Sequence, residues 1–217
     1  MAKSTSKKNP REELEKQYWH VLLTKGKRPS SVYAFTEEIG MEEAEFYKHA
    51  ASFDALESGY WDRLVEETIK VLHEDEDYAN YPGDQKMLAF FFTFFVHSQK
   101  NRSRLVEFFP RPGCSKTLKP MRHRFVEFAK EIITQGIEDG SVADRNKVSE
   151  KYPELLFEQF RSIIEFHRKD QSPEFQDTDA LIEKSVKFSA DVARSGTLDS
   201  AFDLGRFLLR RFTLPGS

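Results

Sequence analysis

The chain has a single cysteine, Cys114, among its 217 residues, so it can form no internal disulfide and no multi-cysteine metal site. That usage fits a reducing compartment, and cytoplasm is the expected location. No apolar run approaches the roughly 20 residues needed to cross a bilayer. The stretch from Met1 to Arg11 is polar and basic and lacks the apolar segment of a signal peptide, so neither export nor a membrane span is expected. An excess of one charge is missing as well: 33 Lys+Arg stand against 36 Asp+Glu, a formal net charge of -3. Such a balance makes no global field for nucleic acid or anionic lipid, and any such partner must be held by a local patch. Strand-like alternation is absent over any useful length. The histidines, among them His20, His73, His123 and His167, fall at no metal spacing, and there is no glycine-rich phosphate loop or nucleophile motif. No metal, no cofactor and no enzymatic activity are therefore expected.

What is present is helical periodicity and phenylalanine. The chain carries 20 Phe, while its 10 Gly and 9 Pro stand mostly where helices would stop. Residues 1–10 form a charged tail with nothing to bury. From Arg11, the residues Leu14, Tyr18, Val21 and Leu22 recur at helical spacing up to Lys25-Gly26. Ser30 or Ser31 can then cap a short helix burying Val32, Phe35 and Ile39, and Gly40 supplies the left-handed residue of a tight turn. A second short helix, Glu42 to about Ala50, buries Phe46. Two short helices meeting at a glycine, with a helix before them, have the geometry of a helix-turn-helix unit.

A long amphipathic helix is expected from Phe53 to His73, with Leu56, Tyr60, Trp61, Leu64, Val65, Ile69 and Leu72 on its apolar side. The acidic run Glu74 to Asp77 and Pro82-Gly83 mark a junction. Beyond it, Gln85 to about Arg102 is apolar nearly all round and so buried on several sides. Leu105 to Phe109 continues or restarts it. Pro110 to Gly113 breaks the chain. Further helices are expected from about Lys119 to Glu138, Tyr152 to Lys169, Asp177 to Arg194 and Leu198 to Phe212.

Several local stretches point to a family. Lys25-Gly26, Ser30-Ser31-Val32, Ile39-Gly40-Met41, Phe46-Tyr47-Lys48-His49 and Ser52 to Leu56 fall at the spacing of its first four helices. With this order of helices the chain resembles the tetracycline repressor-like (TetR) family, well over about fifty residues and by helix count over the rest. The resemblance implies an all-α fold: a helix-turn-helix head at 11–52, a linking helix at 53–73, and a helical ligand and dimer domain at 74–217. It implies a ligand-responsive transcriptional regulator that binds DNA as a homodimer. Lys27, Arg28, Ser30, Ser31, Tyr47, Lys48 and His49 lie where the family meets DNA, and Lys3, Lys7, Lys8 and Arg11 can act as a basic arm. The sequence departs from the pattern in one respect. The helix that would enter the major groove opens Glu42-Glu43-Ala44-Glu45, and carboxylates near phosphates oppose docking. The alternative is a protein of the same fold that has given up DNA and binds a lipid-like molecule or a partner protein.

The phenylalanine-rich body suggests an effector site. Phe91, Phe92, Phe95, Phe108, Phe125 and Phe128 can line a cavity for a small apolar or lipid-like molecule, with His97 or Arg122 at its polar end. The same residues at helical spacing also serve as plain core. Leu181, Val186, Phe188, Val192, Phe202, Phe207 and Leu208 give the last two helices more apolar surface than one body needs, and in the family that pair packs against its two-fold mate.

Overall fold

A computed structural model of the chain describes residues 9–111, 115–144 and 149–194. The expected helix from Leu198 to Phe212, and with it Phe202, Phe207 and Leu208, lies outside the described residues, as do Lys3, Lys7 and Lys8. The fold is all-α. Nine α-helices and no strand occur among the described residues: α1 Pro10–Lys25, α2 Val32–Ile39, α3 Glu43–His49, α4 Phe53–His73, α5 Gly83–Gln99, α6 Arg102–Phe108, α7 Ser115–Glu138, α8 Tyr152–His167 and α9 Gln176–Arg194.

Local chemistry sets most of these boundaries. The Asn9 side chain accepts from the Arg11 amide, Pro10 occupies the first helical turn of α1, and Gly26 ends the helix at φ 66°. The Ser31 hydroxyl accepts from the Ala34 amide at 3.0 Å and starts α2. Gly40 closes α2 at φ 67°, a left-handed conformation that costs a side-chain-bearing residue about 1–2 kcal/mol. Its amide and that of Met41 return to the carbonyls of Glu37 and Thr36, so the last turn of α2 is satisfied. Ser52 caps α4 through the Ala55 amide at 3.1 Å.

Helix α7 departs from expectation. It begins at Ser115 rather than near Lys119, and Pro120 lies inside it. Proline lacks the amide that would bond back one turn. Burial of Leu118 and Met121 on either side, 4% and 0% exposed, offsets the lost bond and carries the helix through.

By contacts, the described residues form two compact units: those up to 66 with those from 97 to 122, and those from 67 to 96 with those from 123 onward. In the first unit, Tyr18, Phe35, Phe46 and Phe53 pack edge-on and stacked with centroids 5.0–6.2 Å apart. A second aromatic group joins Trp19, Tyr60, Trp61, Phe108 and Phe109. The second unit is built on α5, α7, α8 and α9 around phenylalanine rings. Its α8–α9 connection is fixed by Asp170, whose carboxylate accepts from the amides and hydroxyls of both Ser172 and Thr178. Burial raises the pKa of that carboxyl, but these four donors outweigh burial and hold it well below the usual carboxylate range.

Candidate functional site

The helix-turn-helix geometry occupies Ser31 to His49 of the first unit. Ser30 and Ser31 are exposed at the start of α2, and the Ser31 hydroxyl is already engaged as its cap. Lys27 is exposed, with no hydrogen bond or ion pair among the described residues. Tyr47, 53% exposed, projects from α3.

Other expected contacts are tied up within the protein. Glu45 binds both Lys48, at 2.5 Å, and His49, at 3.0 Å. These hydrogen bonds hold the Glu45 carboxyl below its ordinary pKa, so it stays charged at neutral pH. Lys25 is paired with Glu38 at 2.5 Å. Arg28 bridges to Asp54 and Glu57 of α4, each at 2.8 Å. Glu57 is buried and also accepts from the Tyr18 hydroxyl at 2.5 Å. Burial first, and the Glu57 charge second, push the Tyr18 phenol far above its ordinary pKa, so it remains a donor. The exposed carboxylates of Glu37, Glu42 and Glu43 complete an α2–α3 surface of mixed charge. Glu43 and Glu45 also stand in the first turn of α3, where a negative charge suits the helix dipole.

The phenylalanines divided as follows. Phe91 and Phe125 are fully buried, and with Phe90, Phe94, Phe128, Phe157 and Phe160 they form one continuous ring cluster in the second unit. Phe95 packs on His167 with centroids 4.7 Å apart. Phe92 is half-buried. Phe108 belongs to the first unit, where it meets Trp19. His97 is half-buried at the end of α5, and Arg122 is exposed on α7. A molecule could reach Phe91 or Phe125 only by displacing rings already in contact.

On α9, Val186 is buried, Leu181 and Val192 are half-buried, and Phe188 is 69% exposed. Phe188 and Val192 line an open apolar groove of about 390 Å³ with Tyr152, Leu155, Leu156 and Ile133. Leu155 of α8 is itself 60% exposed.

Sequence reasoning missed Lys86 and Tyr78, which line a second pocket of about 360 Å³ in the second unit. The signal was there for Lys86: it precedes Phe90 by four residues, so it shares the face of α5 that carries that core ring. Tyr78, in the short turn after α4, offered no periodic cue. Among the described residues no group of three His, Cys, Asp or Glu is placed to hold a metal ion, and no helix is long and apolar enough to cross a membrane.

Comparison with known proteins adds a family and a fold. The family described as tetracyclin repressor-like, C-terminal domain, matches residues 86–208. No curated protein matches the sequence. A solved structure titled as a protein with unknown function from Rhodococcus sp. RHA1 is similar in fold, with a TM-score of 0.61 at 15% identity, covering 89% of this chain and 100% of that one.

Proposed function

Because this chain belongs to the tetracycline repressor-like family, whose C-terminal domain spans residues 86–208, we propose that it is a cytoplasmic transcriptional regulator rather than an enzyme. It binds DNA as a homodimer and lets go when a small effector enters the second unit. The observation that carries this reading is the Ser31-capped α2, the Gly40 turn and α3, in a chain of that family. Lys27, Ser30 and Tyr47 are the exposed side chains on that unit best placed to meet phosphate, and Arg28 holds the unit to α4. Helix α4 contributes residues to both units, as α5 and α7 also do, and is one of three covalent links by which an effector in the second unit would act on the head. A second copy is the proposed occupant of the α8–α9 groove. An exposed Phe188 beside an exposed Leu155 leaves apolar surface that a two-fold mate would bury. Two heads in one dimer engage two half-sites together, which multiplies the affinity of either alone.

One observation favours a second reading, in which the fold binds a lipid-like molecule or a partner protein and no DNA. The side chains of Lys48, His49 and Lys25 are engaged by carboxylates of the same unit, and Glu42 and Glu43 are exposed beside them. A salt series separates the two. In a mobility shift of the full chain with its own upstream DNA, the regulator binds at about 50 mM salt and loses affinity steeply by about 200 mM. Absence of any shift at the lower salt selects the second reading.

A further inference from the structure

The pocket lined by Tyr78 contains a buried lysine that forms no ion pair among the described residues, although its charge is felt through space by the exposed Asp139. Lys86 is 6% exposed, yet the only hydrogen bond its Nζ makes among the described residues goes to a neutral acceptor, the Gln135 side-chain oxygen, at 2.6 Å. The same Nζ lies 5.6 Å from the centre of the Tyr78 ring, a weak cation–π contact that does not replace an anion. An ammonium taken out of water requires an opposite charge or well-aimed acceptors, and here one neutral amide oxygen is its only direct acceptor among the described residues.

Next to it stands a second unmet donor. Tyr78 is 5% exposed and its hydroxyl has no hydrogen-bond partner among the described residues. Burial, and after it the negative charge of Glu131, hold this phenol well above its ordinary pKa, so at neutral pH it keeps its proton to donate. Both residues line the 360 Å³ pocket, whose apolar wall includes Phe128 and Ile132. Its three carboxylates differ from these donors in depth: Asp75, Glu76 and Glu131 are exposed, while Lys86 and Tyr78 are buried.

We propose that this pocket binds a small monocarboxylate, its oxygens accepting from Lys86 Nζ and Tyr78 Oη and its apolar body resting on Phe128 and Ile132. The exposed acids disfavour a second negative charge on the ligand, which is why the class is a monocarboxylate and not a dicarboxylate or a phosphate ester. The site names the chemistry of the effector and so rests on the reading of the second unit as the effector unit.

The test is isothermal titration of the full chain, without DNA, using benzoate and hexanoate as probes and benzamide as the neutral control. At least one of the two acids binds, and benzamide binds about tenfold more weakly or not at all, because a neutral amide cannot compensate the ammonium. Lys86→Met, which keeps the length and apolar stem, loses the acid by about tenfold or more, and Tyr78→Phe loses it several-fold. Glu131→Gln, a surface change that leaves the core alone, tightens it several-fold. The proposal is overturned if neither acid binds, if benzamide binds as well as benzoate, if folded Lys86→Met binds unchanged, or if Glu131→Gln leaves affinity the same or lower. A chain that binds benzoate but shifts no DNA keeps this site and loses the regulator, so the two failures are distinguishable.

Discussion

Phe160→Ala lowers stability by about 3–5 kcal/mol, the range for removing a large aromatic from a packed interior. The Phe160 ring is fully buried and meets Phe94 at 4.6 Å, Phe125 at 5.0 Å, Phe90 at 5.4 Å and Phe91 at 5.7 Å between centroids. With Phe157 at 6.4 Å as a fifth neighbour, truncation removes one partner from five rings at once and leaves a void that surrounding helices refill only in part. Phe166 on the same helix is 42% exposed, and Phe166→Ala costs about 1 kcal/mol or less. Urea denaturation of the two variants reads the difference as a shift in midpoint. Equal losses would contradict a filled phenylalanine core.

Arg28→Met costs about 2–4 kcal/mol, although Arg28 is an exposed residue that the family resemblance places at DNA. Removing the guanidinium leaves the buried Glu57 carboxylate with the Tyr18 hydroxyl, at 2.5 Å, as its remaining donor among the described residues and takes away two ion-pair contacts to α4. Breaking a buried pair from one side strands a charge, and partial water access at Arg28, 43% exposed at its side chain, keeps the loss below the fully buried case of about 3–5 kcal/mol. Adding Glu57→Gln to Arg28→Met restores part of it, as a double-mutant cycle on one contact should show. Lys27→Met behaves oppositely. It has no partner to lose among the described residues, so its stability changes by under about 0.5 kcal/mol, and under the proposed regulator role its effect falls on the salt dependence of DNA binding.

Helix boundaries were legible in the sequence because their signals are local. Ser31, Gly40, Gly26 and Ser52 each act on the backbone within a few residues, and α4 runs from Phe53 to His73 as the periodicity predicts. Which apolar residue meets which was not legible. Phe108 stands nine residues past Gln99 in a phenylalanine-rich stretch and reads as part of the same lining as Phe91, yet it packs on Trp19 in the first unit. Periodicity says that a side chain is buried but not against what. The same gap hid the ion pairs of the head: Arg28 and Glu57 are 29 residues apart in sequence, and no local pattern links them. Lys86 escaped notice although its spacing from Phe90 puts it on the core face of α5, because a lysine near a helix terminus is ordinarily solvated, and the fold shows which groups its Nζ meets, Gln135 and the Tyr78 ring.

The measurement that bears most directly on the proposed role is a hydroxyl-radical footprint of the full chain on its own upstream DNA at low salt. Two heads on one dimer predict two protected patches on one face of the duplex, separated by a whole number of turns of about 10–10.5 base pairs. Uniform weak protection, or none, would mean that α2 and α3 do not read DNA.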